Sequence, residues 1–142
     1  MIKLSKKVEY GLISMMHMDA YAKVQVVSAR EIAVKYSIPQ ELLGKVLQAL
    51  AKSGLVESSQ GVGGGYRLSR SLEEIKLGGV IEVLDGPLRI ASCHGDPANC
   101  GQYAECNIKQ PVFRIQAQIQ DFIFNVPLAA FRSSPASAGR GA

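Results

Sequence analysis

The sequence predicts a mainly α-helical fold carrying one small β hairpin, and three observations support that reading. Apolar residues recur at three- and four-residue spacing in successive stretches from Ser5 to Val126, as helices that bury one face require. Two short β-prone runs between residues 55 and 68 flank a glycine-rich turn, the pattern of a hairpin. Cys93, Cys100 and Cys106, the chain's three cysteines, lie within fourteen residues of a Gly-, Pro-, Asp- and Asn-rich stretch that suits neither helix nor strand.

The 142 residues suffice for one globular domain or a domain with an appendage. No apolar segment follows the N-terminal charges, and nowhere do about 18 apolar residues run together. A cytoplasmic protein with no membrane partner is therefore expected. Residues 1–70 hold ten Lys/Arg against five Asp/Glu, whereas residues 71–142 hold six against seven. A basic N-terminal half suits contact with a polyanion.

Ser5 is placed to cap a first helix, with Val8, Leu12, Met15 and Met16 as its buried stripe and its end near Tyr21. Ser28-Ala29-Arg30-Glu31 reads as a capping box, in which the Ser28 hydroxyl takes the Glu31 N–H and the Glu31 carboxylate reaches back. The short second helix carries Ile32, Ala33 and Tyr36 inward. Pro39 suits the first turn of a third helix, because its missing N–H would have no intrahelical partner there. That helix runs to Ser53 and buries Leu42, Leu43, Val46, Leu47 and Leu50, leaving Gln40, Glu41, Gly44, Lys45, Gln48 and Lys52 outward, with Gly54 as left-handed terminator. Two helices about a tight turn make a helix-turn-helix candidate.

Residues 55–58 and 66–68 are the expected strands of a wing, joined by Ser59-Gln60-Gly61-Val62-Gly63-Gly64-Gly65. Such a turn lets backbone amides approach a phosphate. A helix-turn-helix, a glycine-rich hairpin, a basic half and exposed Lys and Gln on the third helix, in this order, predict a winged helix-turn-helix that binds DNA. Leu77–Leu84 should be a small closing helix. Pro111 opens a last helix with Val112, Ile115, Ile119, Phe122 and Val126 at alternating three- and four-residue steps. Two heptads are marginal alone, so this seam should pack on its twin and on the winged domain of a second copy. The implied division is a winged domain over 1–84, a cysteine-rich loop over 85–110, a dimerisation helix and C-terminal segment over 111–131, and a disordered tail over 132–142.

Three thiols on irregular backbone suit a soft metal or an iron–sulfur cluster, and an odd number of close cysteines in a reducing compartment argues against a disulfide framework. Zinc usually uses closely paired Cys knuckles, whereas six and five residues separate these cysteines. Unliganded thiols are the plain alternative. His94 adjoins Cys93 and is a ligand candidate, while His17, inside the first helix, reads as a packed or surface residue. The Gly61–Gly65 run lacks the Gly-Lys-Ser/Thr ending of a phosphate loop. No Ser/His/Asp grouping or carboxylate pair suggests catalysis, so no enzyme is expected.

Leu4-Ser5-Lys6, the Ile32-Ala33 helix, Leu50 with Ser53-Gly54-Leu55-Val56, the wing from Gly61 through Tyr66-Arg67-Leu68, and the cysteine loop together resemble the IscR/NsrR family of dimeric winged-helix iron–sulfur transcription regulators, over residues 1–131. The resemblance implies a repressor that senses cluster status, redox or nitric oxide stress through a 2Fe-2S or 4Fe-4S cluster on Cys93, Cys100 and Cys106. Members similar to the cluster-assembly regulator place a His three residues after the third cysteine. Here that position is Lys109, a poor ligand as an ammonium. Members similar to the nitric-oxide sensor draw a carboxylate from the first helix of the other subunit, which makes Glu9 in trans the expected fourth ligand, with His94, Asp96 or an exogenous thiol behind it. The same resemblance assigns DNA contact to Gln40, Glu41, Lys45 and Gln48 on the third helix and to Gln60, Gly63, Gly64, Tyr66 and Arg67 in the wing, on a pseudo-palindromic operator read by a homodimer. A thiol-redox or zinc-stabilised interaction module without a cluster is the competing expectation.

Overall fold

The computed structural model describes residues 3–91 and 96–132. The first helix, α1 (Lys6–Tyr21), begins at Ser5, whose hydroxyl accepts the Val8 N–H at 3.3 Å. It buries Val8, Met15 and Met18. Leu12 and Met16, expected in the buried stripe, are only half-buried. They face an open groove shared with Tyr36 and Phe131, because the helices over Gln40–Lys52 and Leu77–Asp85 pack on the side of the first helix that buries Val8 and Met15.

Ser28 caps α2 (Ala29–Tyr36) by accepting the Glu31 N–H at 3.0 Å. The reverse half of the expected capping box is absent among the described bonds. The Glu31 carboxylate turns instead to His17 Nε2 at 2.7 Å, while Nδ1 meets the Tyr36 hydroxyl at 2.8 Å. Tyr36, expected inward, is 36% exposed, since its hydroxyl lies where the ring of His17 offers a partner. His17 itself is 3% exposed, with both ring nitrogens bonded into the helix-turn-helix, so it is a packed residue and not a free ligand.

Ser37 turns the chain in the left-handed conformation, φ 55° and ψ 45°, and the Ile38 N–H closes on the Ala33 carbonyl at 3.0 Å. Ser37→Val is therefore expected to destabilise the fold by about 1–2 kcal/mol, read as a lowered urea midpoint with unchanged slope. An unaltered midpoint would remove the backbone conformation as a constraint. Pro39 stands at the cap of α3 (Gln40–Lys52) and not inside its first turn, its carbonyl accepting the Leu43 N–H at 3.0 Å. Leu43, Val46, Leu47 and Leu50 are buried, and Leu42 only partly. The end is a Schellman turn: Gly54 at φ +87° bonds Ala51, and Leu55 N–H bonds the Leu50 carbonyl at 3.0 Å.

The wing is an antiparallel pair, β1 (Val56–Ser59) and β2 (Gly65–Leu68), in register Val56 to Leu68 through Ser59 to Gly65. It is anchored by reciprocal backbone bonds between Val27 and Tyr66 at 3.0 and 2.7 Å. That approach explains Gly65, where a Cβ would lie 2.3 Å from the Val27 carbonyl oxygen. The turn itself needs Gly61 and Gly63, at φ +87° and +75°.

The fourth helix, α4 (Leu77–Asp85), packs on α1 and α3 through Val80, Ile81 and Leu84. The last, α5 (Lys109–Phe124), crosses α4 at Gly78, where any Cβ would strike Phe124. Beyond α5 the chain returns to the winged domain. Leu77 N–H bonds the Val126 carbonyl at 2.8 Å, Leu128 N–H bonds the Ile75 carbonyl at 2.8 Å, and Leu128 is 0% exposed. Val126, expected on the dimer seam, lies past the helix end and packs on its own chain's core. Arg132, assigned to the tail by composition, has both Asp19 oxygens at 3.0 Å and also pairs with Glu73. Its guanidinium holds the Glu73 carboxyl below the usual carboxylate range. Solvent exposure keeps this pair energetically minor. Residues 133–142 lie outside the described part.

Candidate cysteine centre and nucleic-acid interface

The outer surface of α3 presents Gln40, Glu41, Lys45 and Gln48, all exposed. Glu41, Lys45 and Gln48 follow four- and three-residue steps and so share one stripe. Gln60 and Gly63 are exposed in the wing, whereas Gly64 and Tyr66 are half-buried. Gly64 is shielded by the Ser59 carbonyl that its backbone approaches, and Tyr66 by the Val27 bridge. Arg67 is exposed but bonded to Glu57 at 2.9 Å, its partner across the hairpin. It would have to exchange that carboxylate for a phosphate. Lys7 on α1 borders the same small cavity of about 150 Å³ as Lys45. Sequence periodicity did not single Lys7 out, because it contributes nothing to the buried face of α1.

Of the three cysteines, Cys100 and Cys106 are described, and both are half-buried free thiols. Cys93 and His94 lie outside the described residues. A one-turn helix, Pro97–Asn99, is capped by Asp96, whose carboxylate takes the Ala98 N–H at 3.1 Å and the Asn99 side-chain amide at 2.8 Å. Asp96 is thus occupied locally, at a turn that delivers Cys100.

Cys100 and Cys106 line one open cavity of about 620 Å³, bounded by Ala91 on one side and by Lys109 and Val112 of α5 on the other. No cluster of three or more metal-ligating side chains is present among the described residues. Two thiols on one cavity fit soft-metal ligation and leave further positions to residues outside this pair. Glu9 does not border that cavity in its own chain. It pairs with Lys6 at 3.1 Å, holding the Lys6 ammonium above its ordinary value.

Lys109 borders the cysteine cavity, but its ammonium is already engaged within the loop. Its Nζ donates to the Tyr103 carbonyl at 3.0 Å and sits 4.1 Å from the Tyr103 ring centroid. Seven residues along α5, Gln116 is 1% exposed and reaches the segment leading to the cysteines. Its Oε1 accepts the Ile90 N–H at 2.6 Å, and its Nε2 donates to the Leu88 carbonyl. Sequence reading missed Gln116, since a Gln beside a heptad seam looks solvent-facing. On the adjoining face of α5, Ile115 and Phe122 are 50% and 72% exposed, with Ile119 half-buried, whereas Val112, expected with them on the dimer seam, lines the cysteine cavity.

A sequence model of the Rrf2 family, described as an iron-dependent transcriptional regulator, matches residues 4–132. The chain belongs to the Rrf2 family. This Rrf2 chain is 28% identical over 127 residues to the HTH-type transcriptional regulator IscR of Photobacterium profundum, covering 89% of the chain and 73% of that protein. It is 29% identical over 109 residues to NsrR of Halalkalibacterium halodurans, covering 76% and 75%. Among solved structures, the oxidised form of Staphylococcus aureus CymR superposes with a TM-score of 0.67 at 27% identity, over 89% of this Rrf2 chain and 93% of that one. The Rrf2 assignment makes the chain a transcriptional regulator of winged-helix fold. Among the described residues no helix is long and apolar enough to cross a membrane.

Proposed function

We propose that this Rrf2 protein is a homodimeric, iron–sulfur-dependent repressor that binds a pseudo-palindromic DNA operator. The single observation carrying the reading is that Cys100 and Cys106 share one cavity at the start of α5. Cys93 would complete the thiolate set, and Glu9 of a second copy, or His94, would supply the fourth ligand. A bound cluster supplies a centre whose oxidation or loss reports redox, iron or nitric oxide status. The chain's own part is to convert the state of that loop into the placement of α3 and the wing. A tenfold difference in operator affinity between the two states needs a coupling of only about 1.4 kcal/mol.

Dimerisation is supported by the open stripe of Ile115, Ile119 and Phe122 on α5. Gln40, Glu41, Lys45, Gln48 and Gln60 would read base edges, Gln toward adenine and Lys toward guanine. Gly63 and Gly64 would admit the sugar–phosphate backbone, with Tyr66 and Arg67 beside them. Lys45→Ala is expected to weaken operator binding severalfold at low salt. If Lys45 meets a phosphate, the slope of log affinity against log salt should also fall by about 0.9. Unchanged low-salt affinity would strike Lys45 from the interface.

Anaerobic absorbance with iron and sulfide assays tests the cluster directly. A second reading, a thiol switch or zinc-stabilised module without a cluster, draws on the two free thiols and on the likeness to a regulator solved in an oxidised form. Zinc, or no metal at all, in reconstituted protein would favour it.

A further inference from the structure

Between α4 and α5 the described residues form only the one-turn helix Pro97–Asn99, yet α5 holds both limbs of the cysteine loop by one stripe of side chains. Lys109, Val112 and Gln116 follow three- and four-residue steps, so they share a face over about 10 Å of helix. Val112 lines the cysteine cavity between the other two. On the entering limb, the Gln116 amide accepts from Ile90 and donates to Leu88. One residue of a parallel strand pairs with its neighbour in this way, bonding the carbonyl and N–H of residues two apart. No backbone partner serves those two groups among the described residues, so the Gln116 amide supplies the hydrogen bonds that the half-buried backbone there would otherwise lack. On the leaving limb, Lys109 fixes Tyr103, which lies between Cys100 and Cys106, through both its carbonyl and its ring.

We infer that Gln116 and Lys109 are positioning residues: they clamp residues 88–90 and Tyr103 to α5 and so preset the walls of the cavity that Cys100 and Cys106 line, before any metal binds. Lys109 thereby has a structural task in this chain, exerted through Tyr103. What the clamp serves rests on the cysteine-centre reading above, but its measurement does not.

Metal-free, full-length protein is the material for the test. Arg89 lies between the two groups held by Gln116, and Glu105 lies between Tyr103 and Cys106, so each grip has its own protease site. Gln116→Met should raise the rate of tryptic cleavage after Arg89 at least fivefold. Lys109→Met should do the same for glutamyl-endopeptidase cleavage after Glu105, and Lys109→Arg should restore slow cleavage. Cobalt(II) titration, followed by thiolate charge-transfer absorbance, should show about tenfold weaker binding for each Met variant and near-native binding for Lys109→Arg. Should Gln116→Met fail to fold, the Lys109 pair decides alone. Unchanged cleavage in folded Met variants overturns the clamp, even if the wild type takes up iron. Faster cleavage in a protein whose wild type binds neither iron nor cobalt leaves the clamp standing and sinks the cluster reading.

Discussion

Cys100→Ala and Cys106→Ala proteins, purified without oxygen and supplied with iron and sulfide, are expected to be colourless, with iron and sulfide content near zero. The wild type should be coloured. The expectation follows from the shared cavity: in the proposed site each thiol would supply one of few ligands, and a thiolate removed from a soft-metal site cannot be replaced by a methyl group. Both thiols are only half-buried, so the fold should survive, and circular dichroism should match the wild type. A Cys106→Ala protein that keeps full colour and iron would exclude that thiol as a ligand. A colourless wild type under the same conditions would refute the cluster altogether.

Leu128→Ala should lower stability by about 2–5 kcal/mol, the range for emptying a fully buried Leu site. Leu128 is 0% exposed and belongs to the same core as Leu72 and Ile75, on a segment stitched to residues 72–77 by backbone bonds. Urea unfolding followed by circular dichroism measures the loss. If Leu128 instead sat on a detached C-terminal appendage, its truncation would shift the midpoint little while weakening dimerisation. That outcome would show the winged domain to be complete without its C-terminal return.

Local chemistry made much of this architecture legible. Ser5 and Ser28 could be recognised as caps because a hydroxyl ahead of a helical period has backbone N–H groups to satisfy. Gly54 marked the end of α3, and Gly61 and Gly63 the wing turn, since positive φ selects glycine. The apolar period of α3 placed Leu43, Val46, Leu47 and Leu50 inside and Gln40, Glu41, Lys45 and Gln48 outside. Errors came where a side chain's partner is distant in sequence. Glu31 had a local partner available and chose His17, 14 residues away. Val126 fitted a heptad but lies past the end of α5, drawn in by Leu77.

From its sequence alone this chain determined that it has a helix-turn-helix followed by a glycine wing, an exposed polar face on α3, and three cysteines within one fourteen-residue stretch. Those are properties of short windows, set by helical period, backbone sterics and ligand chemistry. Tertiary structure alone decided that residues 126–132 close the winged domain, that Gln116 and Lys109 face the cysteine loop, and that His17 is sealed between α1 and α2. The reason is that long-range contacts are chosen by which apolar surface and which polar groups still lack partners once the local elements have formed, and no local pattern encodes that.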